Sequence, residues 1–281
     1  MIVSVSRRTD IPALYHEWFF HRLQAGEVFV KNPFNPRRIR RISLKREDVT
    51  GFVFWTRDAS PFLSRLDELQ GYEYVFLVTL NAYGEDLEPA SFEELPAVET
   101  IKRLSARIGK ENVVWRYDPI ILTDRYDETF HLEAFERLAE ALSPHVKKAV
   151  TSFVTTYRKN KRAFRHFGVK DVDERTKRHL AERLGDIAKR EGLRLEICGE
   201  ALDLEKEGLP SARCISGVYF RKGDTLPEDK NQRETCNCVE SVDIGMYDTC
   251  THGCLYCYAA GREETVHKNR NRHSPCHPSL L

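Results

Sequence analysis

No cysteine occurs in the first 197 residues. No apolar run approaches the ~20 residues that a bilayer-spanning helix needs. The opening stretch, MIVSVSRRTD, lacks a charged leader followed by a long apolar segment. It therefore does not look like a secretory signal, and a cytoplasmic location with no membrane partner is the expectation. Net charge is scarce too: 44 Lys and Arg stand against 43 Asp and Glu, leaving +1. A whole-molecule field that would gather nucleic acid or an anionic membrane is not indicated. Eight cysteines are present, all between Cys198 and Cys276. In a chain without an export signal they point to metal binding or catalysis rather than disulfides.

Hydrophobic residues make up 41% of the 281, enough for a real core. The first 200 residues alternate strand-like and helix-like stretches. Ile2–Ser6 is a short β-rich run that ends in Arg7-Arg8-Thr9-Asp10, and Pro12 opens a helix to about Gly26. Residues 28–49 break the rhythm with Lys31-Asn32-Pro33-Phe34-Asn35-Pro36 and a basic run, Arg37 to Arg41, and suggest an inserted loop or hairpin. Further strands are expected at 51–58, 74–81, 113–119, 148–154 and 193–198, the most apolar of them suited to burial on both faces of a parallel sheet. Helices are expected near 60, over 92–108, 128–142, 159–167 and 173–191. Six strands alternating with helices imply parallel βα units. The expected fold class is therefore α/β: a full or partial TIM-like barrel over residues 1–200. A cysteine-rich metal-binding region, 201–281, would pack on it within one domain. Arg221–Thr235 looks like an exposed connection, and the basic, His-rich stretch 267–277 like a surface tail.

Active sites of such barrels lie at the C-terminal ends of the strands. The residues there are polar in nearly every unit: Arg7, Thr9 and Asp10; Thr56 and Arg57; Asn81; Arg116 and Asp118; Ser152 and Thr155; Cys198 and Glu200. Arg116 and Asp118 are two apart, so they share a strand face. They could hydrogen-bond a ribose or carboxylate, or form a plain structural ion pair. The Arg37–Arg41 run has the same two readings, a solvated face or a phosphate contact.

Near the end stands Asp248-Thr249-Cys250-Thr251-His252-Gly253-Cys254-Leu255-Tyr256-Cys257-Tyr258-Ala259. Three thiolates at Cys-x3-Cys-x2-Cys spacing can hold a [4Fe-4S] cluster by three irons, leaving the fourth without a protein ligand. A structural zinc would need a fourth donor, His252 or a distant cysteine. The spacing resembles the radical S-adenosylmethionine (SAM) signature, with Tyr256 in its aromatic place. Four other cysteines, Cys198, Cys214, Cys236 and Cys238, match the count for a closed second 4Fe–4S cluster or a zinc site. Cys198 could instead be a buried strand-end thiol, or give a hydrogen atom to a substrate radical. Cys276 is unassigned.

The whole chain resembles the bacterial and archaeal proteins grouped as domain of unknown function 1848. Arg7-Arg8-Thr9-Asp10, Phe54-Trp55-Thr56-Arg57, Trp115-Arg116-Tyr117-Asp118-Pro119 and Val242-Asp243-Ile244-Gly245 through Tyr258-Ala259 carry the likeness. A second likeness, through Trp55-Thr56-Arg57, Leu80-Asn81 and Arg116-Tyr117-Asp118-Pro119, is to the spore photoproduct lyase branch of radical SAM proteins. In that branch the cluster loop usually follows the first strand, so a circularly permuted radical SAM barrel would reconcile the two orders. No clear Gly-Gly-Glu follows the loop here. What the resemblance implies is an enzyme whose cluster, on Cys250, Cys254 and Cys257, passes one electron to SAM. The products would be methionine and a 5′-deoxyadenosyl radical, which would take hydrogen from a small-molecule or nucleic-acid substrate. Thr56, Asn81, Arg116, Asp118 and Tyr256 would contact SAM or substrate. An electron donor such as flavodoxin or ferredoxin would be the partner. The alternatives are a non-catalytic zinc- or nucleic-acid-binding module, and a barrel whose clusters only relay electrons.

Overall fold

The apolar runs become strands because each can be buried on both sides. In chain order the elements are β1 (Ile2–Val5), α1 (Ile11–Leu14), α2 (His16–Ala25), β2 (Glu27–Lys31), β3 (Ile39–Ser43), β4 (Gly51–Thr56), α3 (Ser60–Leu63), β5 (Tyr74–Thr79), α4 (Glu94–Ile108), β6 (Val113–Ile120), α5 (Glu128–Leu142), β7 (Lys148–Phe153), α6 (Lys161–His166), α7 (Glu174–Arg190), β8 (Arg194–Ile197), β9 (Val242–Asp243) and α8 (Glu263–Arg272). This computed structural model describes residues 1–33, 35, 37–90, 93–221 and 226–281. Phe34 and Pro36 of the expected insertion, Phe92 at an expected helix start and residues 222–225 of the expected connection lie outside the described residues.

Seven strands form one sheet in the order β8-β7-β6-β5-β4-β1-β9. Every pairing in it is parallel. The fold is thus mixed α/β, with its first six sheet strands laid side by side in chain order. The inserted stretch is the antiparallel hairpin β2–β3, outside this sheet. What no periodicity announced is β9. Two residues long, it pairs with β1 through Val3–Val242 and Ser4–Asp243, bringing residue 242 beside the chain's start.

The alternation along each strand sorts two cores. Phe52, Phe54, Phe76, Trp115 and Ala149 face the helical layer and pack with Phe19, Phe62, Leu104, Phe135 and Leu184. Val53, Trp55, Val75, Leu77, Val114 and Val150 face the other way. There Ala212, Cys214, Ile215, Phe220, Cys238 and Val239 cover them. The irregular C-terminal region is therefore the second layer. It comes so close that a Cβ on Gly51 would sit 2.2 Å from the Phe220 ring.

Two expectations change. The helix expected from Pro12 to Gly26 is interrupted at Tyr15, whose φ of −136° leaves the helical region. Its hydroxyl donates to the Thr249 carbonyl at 2.6 Å, so the break lets Tyr15 reach the cysteine loop. The stretch expected as a surface tail contains most of α8 and then folds back onto the body. Trp18 Nε1 donates to the carbonyls of His277 and Ser279 at 2.9 and 3.1 Å, and Leu280 is buried. Basic side chains signalled exposure there, while the anchoring was done by backbone carbonyls and one leucine. Among the described residues no helix is long and apolar enough to cross a membrane.

Candidate functional site

The C-terminal ends of β1, β4, β5 and β6 meet the cysteine loop, and two buried carboxylates organise the meeting. Asp243, the last residue of β9, accepts from Ser4 Oγ at 3.0 Å, Ser6 Oγ at 2.5 Å, the Arg7 amide at 2.8 Å and the Gly245 amide at 3.0 Å. A Cβ on Gly245 would stand 2.0 Å from Ser6 Oγ, so only glycine fits the turn that leads from β9 into the loop. Asp10 caps α1 by accepting from the Ala13 amide at 3.0 Å. It also accepts from the Arg57 amide at 2.8 Å and from His252 Nε2 at 2.9 Å. A carboxylate there is acceptor only, so Nε2 of His252 carries the proton. Asp10 thus joins a helix start, a strand end and the loop. His252, the zinc donor considered above, has that nitrogen engaged.

Tyr256 is turned toward the strand ends. Its hydroxyl donates to Glu88 and accepts from Arg57 at 2.9 Å and from Asn81 Nδ2 at 3.3 Å. Arg57 and Glu88 form an ion pair with side chains 9% and 3% exposed. Burial opposes the Arg57 charge, but Tyr256 and Glu88 around it hold its pKa above the ordinary value. Burial likewise raises the Tyr256 phenol well above 10.0, so it stays protonated. Asn81 closes the network: Nδ2 donates to Glu88 at 3.0 Å and to the Asp118 carbonyl at 3.1 Å, and Oδ1 accepts from the Asp118 amide at 2.8 Å. Glu88 was missed by sequence reasoning. It lies in the loop after β5, with no motif around it, and only the fold shows that it faces Arg57.

Arg116 and Asp118 do form an ion pair, and Asp118 accepts from Ser152 as well. The Arg116 guanidinium lies 4.8 Å from the Trp55 ring centroid, and its Nε is buried without a hydrogen-bond partner. Thr56 is buried and turns on itself, donating from Oγ1 to the Asp58 carbonyl at 2.9 Å and accepting from the Asp58 amide at 3.0 Å. Of the five expected contact residues, Asn81 and Tyr256 share one network. Arg116 and Asp118 form a second that touches it through Asn81, and Thr56 stands apart. The Arg37–Arg41 run lies on and just before β3, with Arg41 paired to Glu27.

The thiols divide into groups. Cys250, Cys254 and Cys257 share the loop that leaves β9, and the charge of Cys257 is felt at both of the others. Desolvation pushes the Cys250 thiol up to about 12 and the Cys254 thiol to about 11, Arg57 opposing the rise at Cys254. The loop is tied down on three sides. Leu255 N donates to Leu87 O at 2.9 Å, Tyr258 Oη to Arg7 O at 2.6 Å, and Lys159 Nζ to Ala260 O at 2.8 Å. Cys198, Cys214, Cys236 and Cys238 gather separately, on the sheet face covered by the C-terminal region. Cys214 Sγ lies 3.6 Å from Cys198 Sγ, Cys238 and Cys236 pack in the same cluster, and the Ile215 amide donates to Cys238 Sγ at 3.4 Å. Cys276 is exposed, 3.9 Å from His21 Nδ1. Among the described residues, no three His, Cys, Asp or Glu side chains are arranged to hold a single metal ion.

A parallel α/β sheet carrying three thiols on a loop at its C-terminal end, above a buried Arg–Glu–Tyr–Asn network, defines the class of this protein. The chain belongs to the family described as "Domain of unknown function (DUF1848)", whose model matches residues 2–259. No curated protein matches it. Among solved structures it is similar to a variant of NCR from Zymomonas mobilis, at 14% identity and a TM-score of 0.35, over 75% of this chain and 79% of that one. That likeness is too distant to carry an argument.

Proposed function

We propose that the protein is a radical SAM enzyme built on a circularly permuted, partial TIM-like barrel. Cys250, Cys254 and Cys257 would hold a 4Fe–4S cluster with one iron left open. The observation that carries this reading is the parallel pairing of β9 with β1. It makes the loop after β9 stand where a loop after a first strand would stand, over the strand ends that bear Arg57, Asn81 and Asp118. The donor set suits the group: three thiols on one short loop, none of them tied to the other four, are the ligands a three-point cluster takes. When bound there, such a cluster would supply the one-electron reduction that cleaves SAM.

The chain's own residues would do the rest. Asp243 and Gly245 fix where the loop begins, and Asp10 and Lys159 fix its middle and end. The network of Arg57, Glu88, Tyr256 and Asn81 makes a rigid floor beneath the thiols, and preorganised groups of this kind hold a reactive geometry and exclude water. Arg57 beside Cys254 favours the thiolate that iron requires. Asp118 and the hydroxyl of Ser152 remain the polar groups toward the sheet interior.

Anaerobic reconstitution with iron and sulfide, followed by SAM and dithionite, tests the reading. Iron, sulfide and 5′-deoxyadenosine are expected, and 5′-deoxyadenosine is lost together with the loop's share of iron and sulfide when Cys250, Cys254 and Cys257 are changed to serine. Iron bound with no SAM cleavage under any reductant would remove the enzyme reading. No loop-dependent iron would remove the cluster as well.

A further inference from the structure

The second group of thiols comes from three separate stretches of chain. Cys198 follows β8, Cys214 lies sixteen residues on, and Cys236 and Cys238 follow the next connection. Cys198, Cys214 and Cys238 are buried, at 9%, 2% and 3% exposure. The sulfurs of Cys198 and Cys214 stand 3.6 Å apart, and Cys238 and Cys236 pack in the same cluster of side chains, though among the described residues the group does not yet converge on one point. Four thiols drawn together from so far apart in sequence need a cause beyond packing, since one buried thiol serves as a small hydrophobe equally well.

Two cations supply the second observation. The Arg116 guanidinium lies beside Cys198 and Cys214, and its buried Nε–H has no acceptor. The Arg7 guanidinium lies beside Cys236 and Cys238 and donates to Gln232 Oε1 at 3.0 Å. A buried N–H without a partner is costly, because it has given up water and gained nothing. While the thiols are neutral, Asp118 and Asp243 balance the two guanidiniums one for one.

We propose that Cys198, Cys214, Cys236 and Cys238 are the four ligands of a second, closed metal centre, and that Arg7 and Arg116 are its counter-cations. Four thiolates on a doubly positive core carry a net charge of −2, and Arg7 and Arg116 are the cations that face it. The orphaned Nε–H of Arg116 then has an acceptor, a thiolate sulfur. At a Zn–S distance of about 2.3 Å the sulfurs of a tetrahedral site stand about 3.8 Å apart. The 3.6 Å between Cys198 and Cys214 is already close to that edge. A 4Fe–4S cube has the same ligand count and net charge but spreads its sulfurs more widely. Loading releases the four thiol protons and changes no oxidation state in the zinc case. A ligated Cys198 has no S–H left, so this centre excludes it as a hydrogen-atom donor.

The inference stands independently of the three-cysteine loop, and its test uses a full-length chain in which Cys250, Cys254 and Cys257 are all serine. Purified without oxygen, this variant is expected to keep one centre per chain: zinc alone for a single ion, or iron with acid-labile sulfide for a cube. Adding Cys214→Ser and Cys238→Ser is expected to abolish it. Because that variant could fail to fold, Arg116→Gln and Arg7→Gln are made separately and titrated with a competing chelator. Loss of an outer-shell partner weakens metal binding about 10–100-fold, and that range is expected for each. Either metal supports the proposal. A folded loop variant that binds neither metal, or a Cys198–Cys214 disulfide in anaerobic protein, overturns it. Unchanged affinity in both arginine variants overturns the counter-cation role.

Discussion

His131 is held as a neutral imidazole in the helical core. Its side chain is fully buried, Nδ1 meets the Tyr117 hydroxyl at 2.8 Å and Nε2 meets the Ile121 carbonyl at 3.0 Å. Burial lowers its pKa from 6.5 to about 4. The unfolded chain therefore binds more protons than the folded one between those values, and stability is lost as pH falls from about 6.5 towards 4. One such group contributes about 3 kcal/mol to the loss. Denaturant unfolding across this window should show that slope, and His131→Phe should flatten it while lowering stability at neutral pH. The Arg57–Glu88 pair is the other decisive residue-scale feature. Arg57→Ala leaves the Glu88 carboxylate buried with only the neutral donors Asn81 and Tyr256. Breaking a buried pair in this way costs about 3–5 kcal/mol. Urea unfolding at neutral pH is expected to show a loss in that range, and a change under 1 kcal/mol would mean that water reaches the pair.

Among the elements, β9 has an importance out of proportion to its two residues. Its backbone adds little pairing, but Asp243 collects four donors at the end of β1. Gly245 lets the chain turn where no side chain fits. Gly245→Ala must push Ser6 aside, and overpacking of this kind costs about 1–3 kcal/mol. The displaced segment leads straight into Cys250. The expected outcome is a moderate drop in melting temperature together with a larger fractional loss of iron retained by the loop. Iron retention equal to wild type would mean that the loop is held by Asp10 and Lys159 instead. The pairing of β2 with β3, by contrast, is a side structure that touches neither group of thiols.

Taken whole, the parallel α/β layer was legible in the sequence, because Phe52–Thr56 and Val75–Val78 are apolar on both faces and are separated by helical lengths of chain. The cysteine loop was legible from its spacing. The grouping of the other four thiols was legible only as a count, since sequence gives no distance between Cys198 and Cys238. Glu88 and β9 were not legible. A single acid in a loop and a two-residue strand have no period, and both acquire meaning only from partners some thirty and two hundred and forty residues away. The tail misled because its charge advertised water while Leu280 and the carbonyls accepted by Trp18 were already inside.

The β1–β9 contact also sets a timetable. Ser4 and Ser6 bind an acid that follows them by 239 and 237 residues. Contacts of such long sequence separation close slowly, because chain entropy must be given up before they return anything. During synthesis β1 therefore waits, one edge bare, until the segment that carries Asp243 has emerged. The loop that follows has no anchor before then, so any loading of its thiols would have to come after this contact closes.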